Sequence, residues 1–142
     1  MDKGEEHFRF SRSSQEQLKD SFFREIEKVG SLRDLDPGKI NEFAEGLGRI
    51  IHKDIAKSQL RRVYGEMKRL QRREAFDEKL LDPLAPRLAY ASARHGELKI
   101  VYEVFRKCRP KIKGREDLDK FILLLEALVA YHRYYEEYPP GR

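Results

Sequence analysis

The sequence predicts an all-α fold, a compact bundle of five or six helices. Apolar residues recur at three- and four-residue spacing through most of its 142 residues, the period of one helix face. Gly30, Pro37, Pro83, Gly96, Pro110 and Gly114 fall at the edges of those periodic segments, where helices start and stop. Alternating β-branched runs, the mark of strands, are missing. The length suits one domain. Apolar and charged residues each make up 39% of the chain, a mix that fits a small charged helical domain rather than a disordered chain.

Residues 1–13 mix charge, serine and phenylalanine without clear period and read as a flexible N-terminal tail. A single helical domain is expected over 14–138, with 139–142 as a C-terminal tail. Leu18, Phe22, Phe23 and Ile26 share one face, so a first helix runs over Ser14–Val29 and stops at Gly30. Asp36-Pro37 reads as an N-cap followed by proline at the first helical position. Ile40, Phe43, Ala44, Leu47, Ile50 and Ile51 carry that second helix over Pro37–Ile51. After a break at His52–Asp54, a third helix over Ile55–Glu78 has Leu60, Val63, Tyr64, Met67 and Leu70 on its apolar side. Asp82-Pro83 opens a fourth over Pro83–Arg94 in the manner of Asp36-Pro37, and His95-Gly96 ends it. A fifth, Glu97–Arg109, presents Leu98, Val101, Tyr102, Phe105 and Cys108. The sixth, Arg115–Glu137, is apolar over about half its circumference, the breadth expected of a central core helix.

Several functional classes drop out. The longest apolar runs are short, and none approaches the roughly 20 residues of a membrane span. Met1–Phe10 is charged and lacks the apolar region of a secretory signal. One cysteine, Cys108, excludes a disulfide framework and a cysteine-based zinc site. A cytoplasmic address is the expectation.

The net charge is +5, but it is not spread evenly. Lys57, Arg61, Arg62, Lys68, Arg69, Arg72 and Arg73 stand against one acid, Glu66, in the 57–73 stretch. Seven cations and one anion give that stretch +6 and leave −1 for the rest. At about 100° per residue, Lys57, Arg61, Lys68 and Arg72 cluster on one flank of the third helix. Gly65 lies beside them, where a missing side chain permits close approach. Arg62, Arg69 and Arg73 form a second stripe on the solvent face. Cations along about 20 Å of helix can track a phosphate backbone; the structural alternative is a solvated face paired with acids elsewhere. Pairing within the helix cannot neutralise the stripe, because only Glu66 is available.

On the fourth helix, Arg87 and Arg94 are two turns apart on one face, with Tyr90 beside them. Two guanidinium groups next to an aromatic ring can hold a phosphate and a base, or they can pair with carboxylates at a helix–helix seam. Near the C-terminus, Tyr134 and Tyr135 are expected to close the bundle. His132 falls on the apolar face of its helix and reads as a core or edge residue.

Chemistry is not apparent. His7, His52, His95 and His132 form no HxxxH or HExxH pair, so neither a metal site nor a cofactor is expected. No phosphate-binding glycine loop appears. A helical ribonuclease would place an Arg shortly upstream of a His, but Arg49 is too close to His52 and Arg87 too far from His95. Adjacent acids such as Glu136-Glu137 project apart on a helix. The expectation is a non-enzyme.

Three blocks resemble the Csm small-subunit family, the small helical subunits of type III-A CRISPR effector complexes in antiviral defence. Ser58-Gln59-Leu60-Arg61-Arg62 resembles the family's Ser-Gln-Ile-Arg-Lys pattern. Pro86-Arg87-Leu88-Ala89-Tyr90-Ala91-Ser92-Ala93-Arg94 is similar to its Pro-Lys/Arg-Leu-Ala-Tyr…Gly-Arg block. Ala130-Tyr131-His132-Arg133-Tyr134-Tyr135 is similar to its Ala-Tyr-His-Lys-Tyr-Tyr end. The blocks stand in the family's order across 55–135. Two positions depart from it: Ala56 and Lys57 replace hydroxyl residues, which moves the start of the third helix toward Asp54, and Ala93 stands where glycine is usual. The resemblance implies a non-catalytic subunit that stacks in a filament and helps hold target RNA on the guide. Its implied partners are single-stranded target RNA, the guide RNA duplex, the backbone and large Csm subunits, and further copies of itself, with no membrane. It carries Arg61, Arg62, Arg87 and Arg94 over as RNA contacts; Lys57, Lys68, Arg69 and Arg72 join them from helical geometry. Two alternatives remain open here: a helical ribonuclease, and an adaptor whose basic stripe binds an acidic protein without RNA.

Overall fold

A computed structural model describes the backbone of residues 3–51 and 54–141, and the side chains of 14–51 and 58–141. Six α-helices make up the fold: α1 (Lys3–Lys28), α2 (Pro37–Ile50), α3 (Asp54–Gln71), α4 (Leu84–Arg94), α5 (Lys99–Cys108) and α6 (Arg115–Glu137). Four short 3-10 turns join them, at Leu32–Asp34, Glu78–Leu81, Gly96–Leu98 and Arg109–Lys111. No strand occurs among the described residues. The all-α expectation is met. No helix among the described residues is long and apolar enough to cross a membrane.

The sixth helix is the axis of the bundle, as its broad apolar girth requires. It packs on α2, on α3 and on the Leu32–Asp34 turn, while α1 lies against α2 and α5, and α4 pairs with α5. Phe121, Ile122, Leu124, Leu125 and Leu128 of α6 are all buried. Burying side chains of this size contributes roughly 1.5–3 kcal/mol each. Phe121 meets Phe105 of α5 edge-on at 5.7 Å, and Phe22 of α1 stacks on Phe43 of α2 at 4.2 Å. A Cβ built on Gly48 of α2 would stand 2.8 Å from the Tyr131 Cβ and 2.9 Å from its carbonyl carbon, so this glycine sets how closely α2 crosses α6. Below that crossing, the Tyr131 hydroxyl donates to Asn41 at 2.7 Å and the Tyr135 hydroxyl to Glu45 at 3.3 Å. These bonds tie the C-terminal half of α6 to α2, so Tyr135 closes the bundle while Tyr134 stays exposed.

Cys108 is fully buried, and burial pushes its thiol up to about 12. It packs as a small apolar residue. His132 is buried as well, on the core side of α6.

Several boundaries differ from those the sequence predicts, and most have identifiable causes. The first helix starts at Lys3, not Ser14, so the backbone over 3–13 is helical; the side chains there lie outside the described residues. The third helix begins at Asp54 and ends at Gln71, not Glu78. The Arg115 guanidinium donates to the Gln71 carbonyl at 2.7 Å, to Arg73 at 2.8 Å and to Glu74 at 3.0 Å. Carbonyls taken by a remote cation need no further helical turn. Asp77 then caps the next 3-10 turn through the Lys79 amide. Asp36 caps α2 as expected, accepting from Gly38 N at 3.0 Å. Asp82 does not cap α4: its carboxylate accepts from Arg109 Nε at 2.9 Å, and the helix starts at Leu84 without a side-chain cap. The fifth helix is shorter than expected because its first and last turns, at Gly96–Leu98 and Arg109–Lys111, wind as 3-10.

Asp117 is the one fully described acid that is buried, at 3% exposure. One carboxylate oxygen accepts from Arg33 N at 2.8 Å; the other accepts from Lys113 N at 2.9 Å and Gly114 N at 3.1 Å. It caps α6 and clamps the turn after α1 to it. An amide in its place turns an NH2 toward backbone N–H groups, so shape alone does not rescue the site. Asp117→Asn and Asp117→Ala are both expected to lower unfolding free energy by about 2 kcal/mol or more, because buried amides lose their acceptor. Urea denaturation checks this, and an Asn variant as stable as the wild type contradicts it.

Candidate nucleic-acid interface

Helix α3 is anchored by one side only. Leu60 and Met67 are buried, with Val63 beside them. The opposite arc carries the cations. Arg61, Arg62 and Arg69 are exposed and Lys68 is half-buried. The Lys57 side chain lies outside the described residues. Arg72 follows the last helical residue, its amide still donating to the Lys68 carbonyl at 3.1 Å. None of Arg61, Arg62, Lys68, Arg69, Arg72 and Arg73 forms a side-chain ion pair with a described residue. A Cβ built on Gly65, between the two stripes, would meet nothing within 4 Å. No packing within the described fold demands that glycine.

The two stripes face different neighbours. Arg61 borders α6, in a shallow depression with Leu60, Val129, His132 and Arg133. Arg133 is occupied by Glu136 and Glu137, each at 3.2 Å. Arg62, Arg69 and Arg73 look the other way, toward α4. They are exposed, as the periodicity predicts, and they also line one wall of a cleft. Its upper part, about 510 Å³, is lined by Gln59, Arg62, Val63 and Glu66 from α3 and by Leu84, Arg87, Leu88, Tyr90, Arg94 and His95 from the α4 side. A lower part of about 310 Å³ continues past Arg69 and Arg73 to Leu80 and Pro83.

This cleft brings the two predicted basic constellations together. Arg62, Arg69 and Arg73 of the α3 segment meet Arg87 and Arg94 of α4, with Glu66 as the carboxylate among them. Arg87 donates to Glu66 at 2.8 Å, with Arg87 63% exposed. The seam-pairing alternative thus holds for Arg87. It does not hold for Arg94, whose guanidinium lies 5.9 Å from the Tyr90 ring centre and pairs with no described carboxylate. Arg61, Lys68 and Arg72 do not line this cleft and form a flank of their own; the Lys57 side chain, predicted to join them, lies outside the described residues.

Two participants are not among the candidates read from sequence: Gln59 and His95, both lining the cleft. A signal for the cleft is present all the same. Arg62, Glu66, Arg69 and Arg73 recur at four, three and four residues, the spacing of a seam between two helices. Polar residues at a seam line a groove rather than fill a core. Among the described residues, no group of three or more His, Cys, Asp or Glu is arranged to hold a metal ion. His7 and His52 lie outside the residues whose side chains are described.

Comparison with known proteins returned one family. No curated protein and no solved structure matches the chain. The family model described as Csm2 Type III-A matches residues 34–138. That span runs from the turn clamped by Asp117 through the end of α6, and so contains α2 to α6, the basic helix and the cleft. With the greater part of its length matched, the chain belongs to the Csm2 Type III-A family, the small-subunit family of type III-A CRISPR complexes.

Proposed function

We propose that this subunit is a non-catalytic RNA-binding element of a type III-A interference complex. It stacks with copies of itself beside the backbone and large Csm subunits and holds single-stranded target RNA in the duplex with the guide. The observation that carries the reading is the exposed arc of α3. Arg61, Arg62, Lys68, Arg69 and Arg72 lie along it without a described carboxylate partner. A polyanion neutralises such an arc and releases its counterions, and phosphate contacts of this kind do not read sequence. Guide pairing supplies the sequence reading; α3 supplies affinity and position. Single-subunit contacts of this sort gain strength when many copies share one strand.

The arc gives a first test. Arg61→Ala combined with Lys68→Ala removes two phosphate contacts from the flank. RNA binding should weaken, and the dependence of log affinity on log salt should flatten by about 1.4, at about 0.7 per phosphate on a single strand. Fluorescence anisotropy over a salt series measures both, and an unchanged affinity and slope would sink the assignment.

The Glu66–Arg87 pair gives a second test with opposite signs. Arg87→Ala should weaken RNA binding while the melting temperature falls by no more than a few degrees, since Arg87 is 63% exposed and an ion pair with one partner in solvent is worth about 1 kcal/mol. Glu66→Gln removes the carboxylate that competes with phosphate for Arg87, so it should tighten binding and steepen the salt dependence. Equal affinity in wild type and Glu66→Gln, or a collapse of stability in Arg87→Ala, contradicts this role for the pair.

A further inference from the structure

The upper cleft differs from the rest of the basic surface in having an apolar floor and an aromatic wall. Val63, Leu84 and Leu88 are buried beneath it. Tyr90 is 66% exposed, so its ring contributes little to the core. The other exposed tyrosines are used internally: Tyr134 packs edge-on against Tyr135 at 5.0 Å and lies 5.1 Å from Tyr138. Tyr90 has no ring partner among the described residues and is flanked by the Arg94 guanidinium. Arg87, Tyr90 and Arg94 fall within about 60° of arc on α4, and Arg62 faces them across the cleft. Along its length a duplex stacks its bases inside and offers phosphates, 2′-hydroxyls and base edges but no open base face. An acidic peptide needs the cations but has no use for an exposed ring above an apolar floor. One unpaired nucleobase, with a phosphate on either side, uses all three features.

We propose that the α3–α4 cleft is a nucleobase site, in which Tyr90 stacks on one unpaired base of an RNA strand while Arg62, Arg87 and Arg94 hold the adjoining phosphates. The site rests on the RNA-binding reading above but is separable from it, because the α3 flank of Arg61 and Lys68 lies outside the cleft. Its volume, about 510 Å³, is within the range of pockets that enclose a small ligand.

The test uses the full chain and an RNA oligonucleotide carrying 2-aminopurine, offered as a single strand and as a blunt duplex at low salt. Wild type, Tyr90→Leu and Tyr90→Phe are compared. Tyr90→Leu should lose about 5- to 100-fold in single-strand affinity, with its salt dependence and its duplex affinity unchanged. Tyr90→Phe should bind as the wild type does. Quenching of 2-aminopurine should accompany binding to wild type and Tyr90→Phe and be absent with Tyr90→Leu. Single-strand binding by Tyr90→Leu within twofold of wild type, or an equal loss for strand and duplex, overturns the proposal. If affinity depends on Arg61 and Lys68 but not on Tyr90, the nucleobase site alone fails. If the wild type binds neither RNA, the broader reading fails with it.

Discussion

The fold depends on a single ten-residue stretch, Lys111 to Lys120, where charged side chains satisfy backbone groups of the other half of the chain. The Lys111 ammonium takes the carbonyls of Ile26, Glu27 and Val29, which end α1. Asp117 holds the Arg33 amide and the amides at the start of α6. Arg115 takes the last carbonyls of α3, and Lys120 reaches the Leu35 carbonyl at 2.9 Å. Helix ends leave unpaired donors and acceptors that cost free energy when water is excluded. Here the turn before α6 and the start of α6 satisfy the ends of α1 and α3. Apolar burial packs α3 on α6 and α1 on α2 and α5; the charged caps fix where α1 and α3 stop.

That arrangement sorts the cations of the chain into two populations. Lys111, Arg115 and Lys120 are held by carbonyls, Arg109 by Asp82 and the Glu78 carbonyl, and Lys19 by Glu16 and Glu103. The Glu103 carboxylate beside Lys19 holds its ammonium above the ordinary lysine range. These charges are committed to the fold. The described cations of α3 are not, so the positive excess seen in the sequence is also a structural excess. Binding free energy for a polyanion then costs the fold little, because the residues that meet it are not the residues that cap helices.

Periodicity made the core legible. Phe22, Ile26, Leu47, Leu60, Met67, Phe105 and Leu125 are buried as their spacing implies, and α6 runs over the residues predicted for it, because proline, glycine and a broad apolar face are all local signals. What escaped was set by partners distant in sequence. Nothing near Gln71 announces the end of α3; Arg115 does, more than forty positions away. Asp36-Pro37 and Asp82-Pro83 read alike, yet Arg109 draws the Asp82 carboxylate off its helix. The site was legible in parts. Both basic constellations could be found, but their meeting across one cleft depends on how α4 is set against α3, a relation that no single helical wheel contains.

Glu66 gives that meeting its character. Were α3 purely basic along the cleft, Arg62 and Arg69 on one wall would stand opposite Arg87 and Arg94 on the other with no carboxylate among them, and the like charges would repel, though solvent screens them. One carboxylate placed between them, at 2.8 Å from Arg87, offsets part of that repulsion and leaves the cleft open. The same carboxylate sets a threshold. A phosphate entering the cleft would have to take Arg87 from Glu66, whereas one on the Arg61–Lys68 flank would displace no described carboxylate. On the proposed reading the two faces of α3 therefore differ in kind: the flank would attract any polyanion, and the cleft would admit one only where its additional contacts repay the broken pair. A helix whose cations all lay on one open face could not make that distinction.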